Sequence, residues 1–590
     1  MRHAGFFFVF LAGTLWADIP ANITVVPGSE TPLIQLSGSV IQMSDNGIYT
    51  TTITAINFVS SVGVAGLDEG ASVLFPDGRT FTAFGDTVFT YPHASLGTPV
   101  FYGSFPAVVY DSMMLLPSND WSKCSAISNL DSQLQQGISN LVPNYTGCAT
   151  PTFIQNIGHS SSQPIASSIT VTGLAGGEDL LGSHTPTGVF VDTSGYIYLH
   201  YNVKTQAPTY RIDSILAKSN IPYSAINSTT VPVFHKVYSH SLAPTIPTGQ
   251  VSVTLNSPNV GWVSGTTFDS SWSNGSLWQD IDIGDSGIHT YTVQSVTDNH
   301  NLVLSSNYTG ANDASITYNM VPLYDINHGK FMFGGFTTAT STQAYQRGWT
   351  SMLPPALSTA AFIVCYNGTS FGYRQSNIYL SCVDGAQIDV SSTAWWYVTG
   401  FNKDAPTWTQ NDELDAVPLL SSWTHAGTRP QAPCIGEMDI KWVDPLNSLV
   451  LTYGNHYNCG GMWVRTAKYP WGPFSYEQQF FDNNANSGWN SILIHAAGSS
   501  NSITANTPPV YQSDGTTPCD FVSNGFSLGG NYGGYQIGKW TDNGDGTVTI
   551  YHYFSAFAPY VAWLGSFKLN KGTQIYPTGT VTLKGTATLL

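Results

Sequence analysis

The chain has 590 residues, which is more than one hydrophobic core usually organises, so we expect several domains or one large modular architecture. Only 9% of the residues are charged, and 36 Asp and Glu outnumber 19 Lys and Arg. Basic residues are therefore too scarce to neutralise nucleic-acid phosphates, and 42% hydrophobic residues exclude global disorder. The 57 Gly and 33 Pro favour short strands joined by turns.

The N-terminus has the pattern of a secretory signal peptide. Residues 1–3 carry positive charge, residues 6–15 form an apolar run, and Ala17 offers a cleavage site before Asp18. A buried N-terminal strand is the alternative interpretation. No later segment has the ~18–20 apolar residues that a membrane span requires. We therefore predict removal of residues 1–17 and a mature protein that is exported, soluble, and extracellular or periplasmic.

Seven cysteines fit an oxidising compartment. No C-x-x-C pair is present, which excludes zinc ribbons and thioredoxin-like chemistry. Pairing of sequence neighbours would leave Cys519 over, although sequence alone does not fix the connectivity. The predicted disulfides are Cys124–Cys148, Cys365–Cys382 and Cys434–Cys459.

Units of strand, turn and strand recur along the chain. Turn-forming clusters separate apolar runs within residues 71–89, 187–203, 439–466 and 536–569. Meanders of three or four antiparallel strands, spaced irregularly by about 80–110 residues, are typical of propeller blades with long loops. A two-sheet sandwich is the alternative, but it would use less chain. The predicted fold class is all-β, with a β-propeller as the main architecture.

One segment interrupts this rhythm. Residues 249–320 form a run of short Thr, Val, Ser and Asn strands without Lys or Arg. We interpret the segment as a small inserted β-barrel or sandwich, with a long decorated loop as the alternative. The predicted domains are residues 1–17 as the signal peptide, 18–243 as the first part of the propeller, 244–322 as the inserted module, and 323–590 as the second part of the propeller.

Three acidic residues stand in apolar strand patterns, where carboxylates are rare. They are Asp68 in the segment 65–70, Asp86 in the segment 82–87 and Glu437 in the segment 434–442. Side chains alternate along a strand, so Asp86 should share a face with Thr80, Thr82 and Phe84. By the same rule Glu437 should share a face with Asp439 and Lys441.

This placement suits acid–base chemistry. Removal of water raises the pKa of a carboxyl group towards neutrality, which general-acid catalysis requires. A second carboxylate that stays ionised would complete the pair that glycosidic hydrolysis uses. The alternatives are structural Asp side chains that bind turn amides, and an ion pair between Glu437 and Lys441.

Other motifs are weaker indications of function. The sequence 368–372 matches G-x-S-x-G by letter, but that esterase elbow requires a helix and the following residues are strand-like. The sequence 542–546 resembles a calcium loop without its closing Glu, so a hairpin turn is favoured. We predict no cofactor and no metal ligands, and a structural calcium ion remains an open alternative.

Aromatic residues are more abundant than a core needs. They include Trp395, Trp396, Tyr397, Trp408, Trp423, Trp463, Trp471, Tyr532, Tyr535 and Tyr560. Sugar rings stack their apolar faces on aromatic side chains, so this composition suits a carbohydrate cleft. Core packing in a propeller explains most of these residues individually.

The order of the motifs resembles that of the secreted β-propeller family known as domain of unknown function 4185, which is related to glycoside hydrolase family 183. The matching stretches are residues 66–70 and 84–87, Gly436-Glu437 with 449–453, the run 464–475, and residues 551–564. The resemblance implies five blades and an active site in the central cavity, formed by Asp68, Asp86 and Glu437. The characterised members are endo-D-arabinanases. In this sequence Asp68 is followed by Glu69 where the family has Leu.

Together these features predict an exported glycoside hydrolase that cleaves an arabinan-like, furanose-containing polysaccharide. Asp68 and Asp86 are the candidates for nucleophile or base, and Glu437 for general acid. The alternative is a non-catalytic glycan-binding or surface-assembly protein. A sialidase-like propeller would need several converging arginines and is disfavoured. The predicted substrate-binding residues are His184, Asp439, Trp463, Arg465, Tyr532 and Tyr560.

The inserted module has its own predicted role. Its tryptophans Trp262, Trp272 and Trp278 could bind polysaccharide if they were exposed, and the module could also contact another subunit. A targeting or contact role is favoured over catalysis, because its acidic residues lie mainly beside turn-forming Ser, Gly and Asn.

Overall fold

The computed structural model is almost entirely β-sheet. Its described residues include two short α-helices, α1 (Ser341–Gln346) and α2 (Pro355–Ser358). None of the helices in this part of the chain is long and apolar enough to cross a membrane. The structure describes residues 22–35, 42–43, 49–50, 64–89, 109–118, 152–155, 167–175, 178–179, 185–205, 212–242, 247–273, 278–284, 289–322, 329–370, 376–403, 405–410, 413–420, 423–424, 430–431, 435–454, 462–481, 531–556 and 561–572.

Short strands precede the first of five antiparallel sheets, each of which is a blade. The short strands are β1 (Thr24–Val25), β2 (Thr31–Gln35), β3 (Gln42–Met43) and β4 (Tyr49–Thr50). Blade 1 consists of β5 (Val64–Leu74), β6 (Thr80–Phe89), β7 (Val109–Leu116) and β8 (Thr152–Phe153), paired in chain order. Blade 2 has four long strands, again paired in chain order, and two short ones at its margins. Its strands are β9 (Val171–Thr172), β10 (Glu178–Asp179), β11 (Pro186–Val191), β12 (Tyr196–Thr205), β13 (Ile212–Pro222) and β14 (Phe234–Leu242).

The inserted module is a closed antiparallel barrel. Its strands are β15 (Thr248–Val253), β16 (Asn259–Gly265), β17 (Trp278–Ile283), β18 (His289–Asp298), β19 (Asn301–Leu304) and β20 (Asp313–Pro322), in the closed order β15-β16-β19-β18-β17-β20. The barrel has its own core, which contains Val251, Ile281 and Leu302. Trp272 belongs to this core and is 3% exposed, so it does not offer a surface for glycan.

Three further blades follow the barrel. Blade 3 contains β21 (Phe333–Thr340), β22 (Phe362–Thr369), β23 (Tyr379–Asp384), β24 (Trp396–Asn402) and β25 (Ala405–Thr409). A separate pair, β26 (Trp423–Thr424) and β27 (Pro430–Gln431), comes next. Blade 4 contains β28 (Met438–Val443), β29 (Ser448–Gly454), β30 (Met462–Ala467) and β31 (Gln478–Phe481), and blade 5 contains β32 (Asn531–Asp542), β33 (Thr547–Ala556) and β34 (Val561–Asn570).

The first long strand of each blade forms a closed ring. β5 packs on β11, β11 on β21, β21 on β28, β28 on β32, and β32 again on β5. The N-terminal strands β1 and β2 pair with β34, so the first and last described strands share blade 5. Gln478 holds this N-terminal segment, because its side chain accepts from Val25 N at 2.8 Å and donates to Ile23 O at 2.9 Å. The prediction of a five-bladed propeller with an inserted β module is confirmed.

Most strands bury both faces, because blades pack face to face around the ring. On β12, Ile197 and Leu199 belong to the core against blade 1, whereas Tyr198 belongs to the core against blade 3. We call each such packed surface a seam. The predicted disulfide Cys365–Cys382 is present and joins directly opposed residues of β22 and β23. The other predicted cysteine pairs lie outside the described residues.

Turn chemistry sets the ends of the strands. Between β11 and β12, the Asp192 carboxylate accepts hydrogen bonds from Ser194 N at 2.9 Å and Tyr196 N at 2.8 Å. Gly195 completes this turn with φ at 88°, a value that side chains with a Cβ atom rarely adopt. The segment 542–546 forms the hairpin turn between β32 and β33.

Candidate active site

The five ring strands begin at the same edge of the propeller. A belt of close contacts joins equivalent early positions: Gly188 of β11 meets Phe336 of β21, and Gly335 of β21 meets Asp439 of β28. Asp439 in turn accepts a hydrogen bond from Gln536 N of β32 at 3.1 Å. The ring strands therefore run alongside one another in the same direction. We call the edge at which they begin the upper edge.

Glu437 lies at this upper edge, directly before β28. Its residue is 1% exposed, and its carbonyl accepts from Gly454 N at 3.3 Å. The preceding carbonyl, that of Gly436, accepts from Thr369 Oγ1 of blade 3 at 3.2 Å. Glu437 is thus placed at the upper end of the seam between blades 3 and 4, next to the ring axis.

Asp68 and Asp86 lie on paired strands of blade 1, where the backbone is irregular. Asp68 is opposite Gly85, and the register of β5 against β6 shifts on both sides of Asp68. The register of β6 against β7 shifts between Phe84 and Thr87, which brackets Asp86. Bulges of this kind redirect side chains and are frequent beside active sites. The side chains of both aspartates lie outside what the structure describes.

The alternation predicted for β6 holds up to this bulge. Thr80 Oγ1 donates to Ile537 O at 3.4 Å, Thr82 Oγ1 lies 3.1 Å from the Tyr553 hydroxyl, and the Phe84 ring packs on Tyr553. All three therefore face blade 5. On the opposite face of β6, a Cβ atom at Gly85 would lie 3.0 Å from Thr185 Oγ1, and Thr185 directly precedes β11.

Asp439 is buried and engaged by three strands. Its Oδ1 accepts from Ile440 N at 2.8 Å and lies 3.0 Å from Lys441 Nζ, while its Oδ2 accepts from Gln536 N. Burial raises the pKa of the Asp439 carboxyl, and Lys441 is the strongest opposing influence. A Cβ at Gly335 would lie 2.5 Å from Oδ1, so only glycine fits on the neighbouring strand. The contacts of Asp439 therefore lock blades 3, 4 and 5 together.

The sequence left open an ion pair between Glu437 and Lys441. In the structure Lys441 Nζ lies 3.0 Å from Asp439 Oδ1, and the two side chains share a face of β28. The Lys441 side chain keeps 13% of its surface exposed.

Trp463 and Arg465 lie on β30, the third strand of blade 4 outward from the ring, and Trp463 is level with the start of β28. Arg465 donates to the Tyr453 hydroxyl at 3.1 Å, to Ser475 O at 2.9 Å and to Glu477 Oε2 at 3.0 Å. These bonds tie the strand to the segment 475–477. Trp463 is partly buried against the core of blades 3 and 4 and pairs with Tyr453.

Of three further predicted substrate-binding residues, the structure describes only the backbone of one. Tyr532 begins β32 opposite Ser555, which puts its backbone at the upper edge, but its side chain is not described. His184 and Tyr560 lie outside the described residues.

The G-x-S-x-G match at 368–372, disfavoured as an esterase elbow, contains two hydroxyl residues of the upper edge. Thr369 and Ser370 end β22 at the upper edge, and Ser370 is 2% exposed. Within the described structure the Ser370 Oγ has no hydrogen-bond partner, although its backbone N donates to Ser376 Oγ at 2.8 Å. Thr369 binds the backbone carbonyl of Gly436, directly before Glu437.

A buried histidine pair was also missed. His200 Nε2 and His240 Nδ1 lie 3.1 Å apart in the seam between blades 2 and 3. The other His200 nitrogen lies 2.8 Å from Thr187 Oγ1 and 3.0 Å from the Tyr366 hydroxyl. Burial lowers the pKa of both imidazoles, to about 3 for His240. Among the described residues, no group of three or more His, Cys, Asp or Glu side chains could hold a metal ion.

No protein-family model matches the chain, and no curated protein matches it. Several solved structures align over most of its length at low identity. A proposed hydrolase from Bacteroides ovatus aligns at 9% identity and a TM-score of 0.36, over 95% of this chain and 97% of that one. An exo-1,5-α-L-arabinanase from a bovine ruminal metagenomic library aligns at 9% identity and a TM-score of 0.29, over 86% and 93%. An α-L-arabinofuranosidase from Podospora anserina aligns at 10% identity and a TM-score of 0.30, over 93% and 97%. At these TM-scores the likeness carries no argument about the chemistry of this chain.

Proposed function

We propose that the protein is an exported glycoside hydrolase that cleaves an arabinan-like, furanose-containing polysaccharide at the upper edge of its propeller. Glu437 is the general acid, and Asp68 and Asp86 supply the nucleophile or base. The resemblance of the sequence motifs to the family of domain of unknown function 4185 supports this substrate class.

The observation that carries the proposal is the position of Glu437. A carboxyl group that is 1% exposed beside the ring axis has lost nearly all contact with bulk water. Loss of water favours the neutral form of a carboxyl group, which is the form that can protonate a glycosidic oxygen. The hydroxyl of Ser370, whose oxygen has no hydrogen-bond partner in the described part of the chain, is a further polar group at this edge.

In the proposed reaction, Glu437 transfers its proton to the glycosidic oxygen as the bond to the anomeric carbon breaks. One aspartate of blade 1 either attacks that carbon, forming a glycosyl-enzyme that water then hydrolyses with Glu437 as the base, or removes a proton from a water molecule that attacks the carbon directly. The two routes retain or invert the configuration, and they correspond to carboxyl separations of about 5–5.5 Å and about 6.5–9.5 Å. Trp463, Tyr532, Tyr560 and His184 are proposed to bind the sugar units.

Asp439 and Arg465 have a different place in this proposal. The Asp439 carboxylate and the Arg465 guanidinium each make at least three hydrogen bonds or ion pairs within the protein, so we assign them to the support of the site. Asp439 fixes the strand that carries Glu437, two residues away.

The experiment is to incubate the protein with arabinans and bacterial wall polysaccharides and to measure new reducing ends. Glu437→Gln, Asp68→Asn and Asp86→Asn should each lower the rate by about 100- to 10,000-fold. Asp545→Asn, a change at an exposed hairpin carboxylate, is the matched control and should keep full activity. Full activity in all three site variants would show that this site is wrong, and binding without any product would favour a non-catalytic glycan-binding protein.

A further inference from the structure

The inserted barrel leaves the propeller at the upper edge. β14 runs towards this edge and ends at Leu242, which pairs with Asp213, and Asp213 pairs with Val203 near the upper end of β12. The chain returns at Gly329 and begins β21, a ring strand, at Phe333. The connection therefore starts at an outer strand of blade 2 and ends beside the ring axis. The barrel is attached over the same edge that carries Glu437.

A single buried carboxylate holds both chain segments of this connection. Glu413 is 4% exposed. On the outgoing segment it accepts from Ser241 Oγ at 2.5 Å and from Leu242 N at 3.3 Å. On the returning segment it accepts from Gly329 N and Lys330 N, both at 3.1 Å. We call this arrangement the neck.

A second bond pattern ties the neck to blade 3. Lys330 Nζ donates to Leu414 O at 2.9 Å and to Ala416 O at 2.8 Å, two carbonyls that closely follow Glu413 in the chain. The ammonium group also lies 5.3 Å from the centre of the Tyr379 ring. The returning chain is therefore fixed by its own lysine as well as by Glu413.

The neck connects to the candidate site through a short series of bonds. Phe331 N donates to Ser241 Oγ at 3.4 Å, and Met332 N donates to Thr369 O at 2.9 Å. Thr369 then donates to Gly436 O, the residue before Glu437. In contrast, the barrel strands pair only with one another and share no sheet with a blade in the described structure. Among the described residues, the neck is thus where both chain connections of the barrel are anchored to the propeller near the site.

The charge of the barrel favours one class of glycan. Residues 249–320 contain six Asp and no Lys, Arg or Glu. Ser, Thr and Asn offer hydroxyl and amide groups that hydrogen-bond to sugar hydroxyls. An anionic polysaccharide would find like charges and no cationic partner.

We propose that the barrel forms a second wall of the glycan-binding cleft, selects long neutral chains over short or anionic ones, and is held in place by Glu413 as a positioning residue. This inference rests on the proposed function. A short oligosaccharide occupies only the propeller, whereas a long chain extends from the upper edge onto the barrel.

The first test is kinetic and uses the full chain. Glu413→Gln replaces an acceptor of four hydrogen bonds by a group with one oxygen and two donors. We expect the KM for long linear arabinan to rise about tenfold, which corresponds to about 1.4 kcal/mol of binding free energy. The kcat on the same polymer and both constants on an arabinotriose-sized substrate should stay within about twofold, a change of only ~0.4 kcal/mol. Asp415→Asn, at an exposed carboxylate of the same turn, is the control and should change neither substrate. An equal loss on both substrates, or none on the polymer, would overturn the inference.

The second test uses the unaltered protein and so does not depend on the folding of a variant. Hydrogen exchange is measured with long arabinan, with the short oligosaccharide and with a uronate-rich polysaccharide. We expect protection of barrel peptides, such as those from β16 and β18, only with long arabinan. Protection confined to propeller peptides would overturn the inference while leaving the proposed function intact. If the wild type binds long arabinan with barrel protection but releases no reducing ends, the hydrolase proposal fails and the second wall remains.

Discussion

The histidine pair between blades 2 and 3 predicts a loss of stability in mild acid. His200 is 0% exposed and His240 is 4% exposed. Around them lie the Phe331 and Trp395 rings and the Tyr366 hydroxyl. Burial holds the pKa of both imidazoles well below the ordinary value near 6.5. Protonation would also place a charge 3.1 Å from the partner ring.

The free energy of unfolding falls in acid because the unfolded state binds protons at these histidines more readily than the folded state does. Between pH 6.5 and the folded pKa, about 3 for His240, the unfolded chain is protonated at this site and the folded chain is not. Protons therefore favour the unfolded state in this pH range. The free energy of unfolding is unaffected by these histidines above pH 6.5 and decreases progressively as the pH falls below 6.5. At pH 5 the loss is about 2 kcal/mol for His240, because pH 5 lies about 1.5 units below the unfolded pKa and each unit counts ~1.36 kcal/mol; the lowered pKa of His200 acts in the same direction.

The assay is urea unfolding followed by tryptophan fluorescence at pH 8 and pH 5. His240→Gln keeps hydrogen-bonding groups but does not titrate, so its loss of unfolding free energy between these pH values should be about 2 kcal/mol smaller than that of the wild type. The comparison cancels the opposite contribution of buried carboxyl groups such as Asp439, whose raised pKa acts in both proteins. His300→Gln alters an exposed imidazole and is the control. If His240→Gln and the wild type lose the same free energy, the reasoning is refuted.

Three further changes test the packing around the site. Asp439→Asn should lower the free energy of unfolding by about 1–3 kcal/mol, since it removes the ion pair with Lys441; an unchanged urea midpoint would contradict this role. Gly335→Ala should cost about 1–3 kcal/mol through overpacking against Asp439, and a thermal melt equal to that of the wild type would show that the strands can separate. Replacement of Cys365 and Cys382 by Ser should cost about 3 kcal/mol for a closed loop of this size, measured as a shift of the urea midpoint.

The fold could be predicted because its signals are local. Turn clusters such as 192–195 and 542–546 and the alternation within strands identified units in blades 1, 2, 4 and 5, and each signal depends on residues near in sequence. The inserted barrel was recognisable because its composition changes abruptly at its ends. The number of blades came from the family resemblance, since long loops hide the repeat period.

The surroundings of the site could not be predicted in the same way. Alternation predicts one face for Glu437, Asp439 and Lys441, and in the structure Asp439 and Lys441 share a face. The choice of partner for Lys441 could not be read from the spacing, because either acidic residue lies within reach. The bulge at Asp86 likewise interrupts the alternation where the prediction depended on it.

Asp439 shows why the role of a buried carboxylate cannot be assigned from its sequence neighbours alone. Its sequence neighbours resemble those of Glu437, and both carboxylates were assigned to the cleft. The difference lies in Gly335 and Gln536, each about 100 residues away along the chain: one leaves room for the carboxylate, and the other donates its backbone N–H. A carboxylate surrounded by donors from neighbouring blades stabilises the ring. Glu437 lies two residues nearer the upper edge, directly before β28, and in the proposed function it is the residue that meets the substrate.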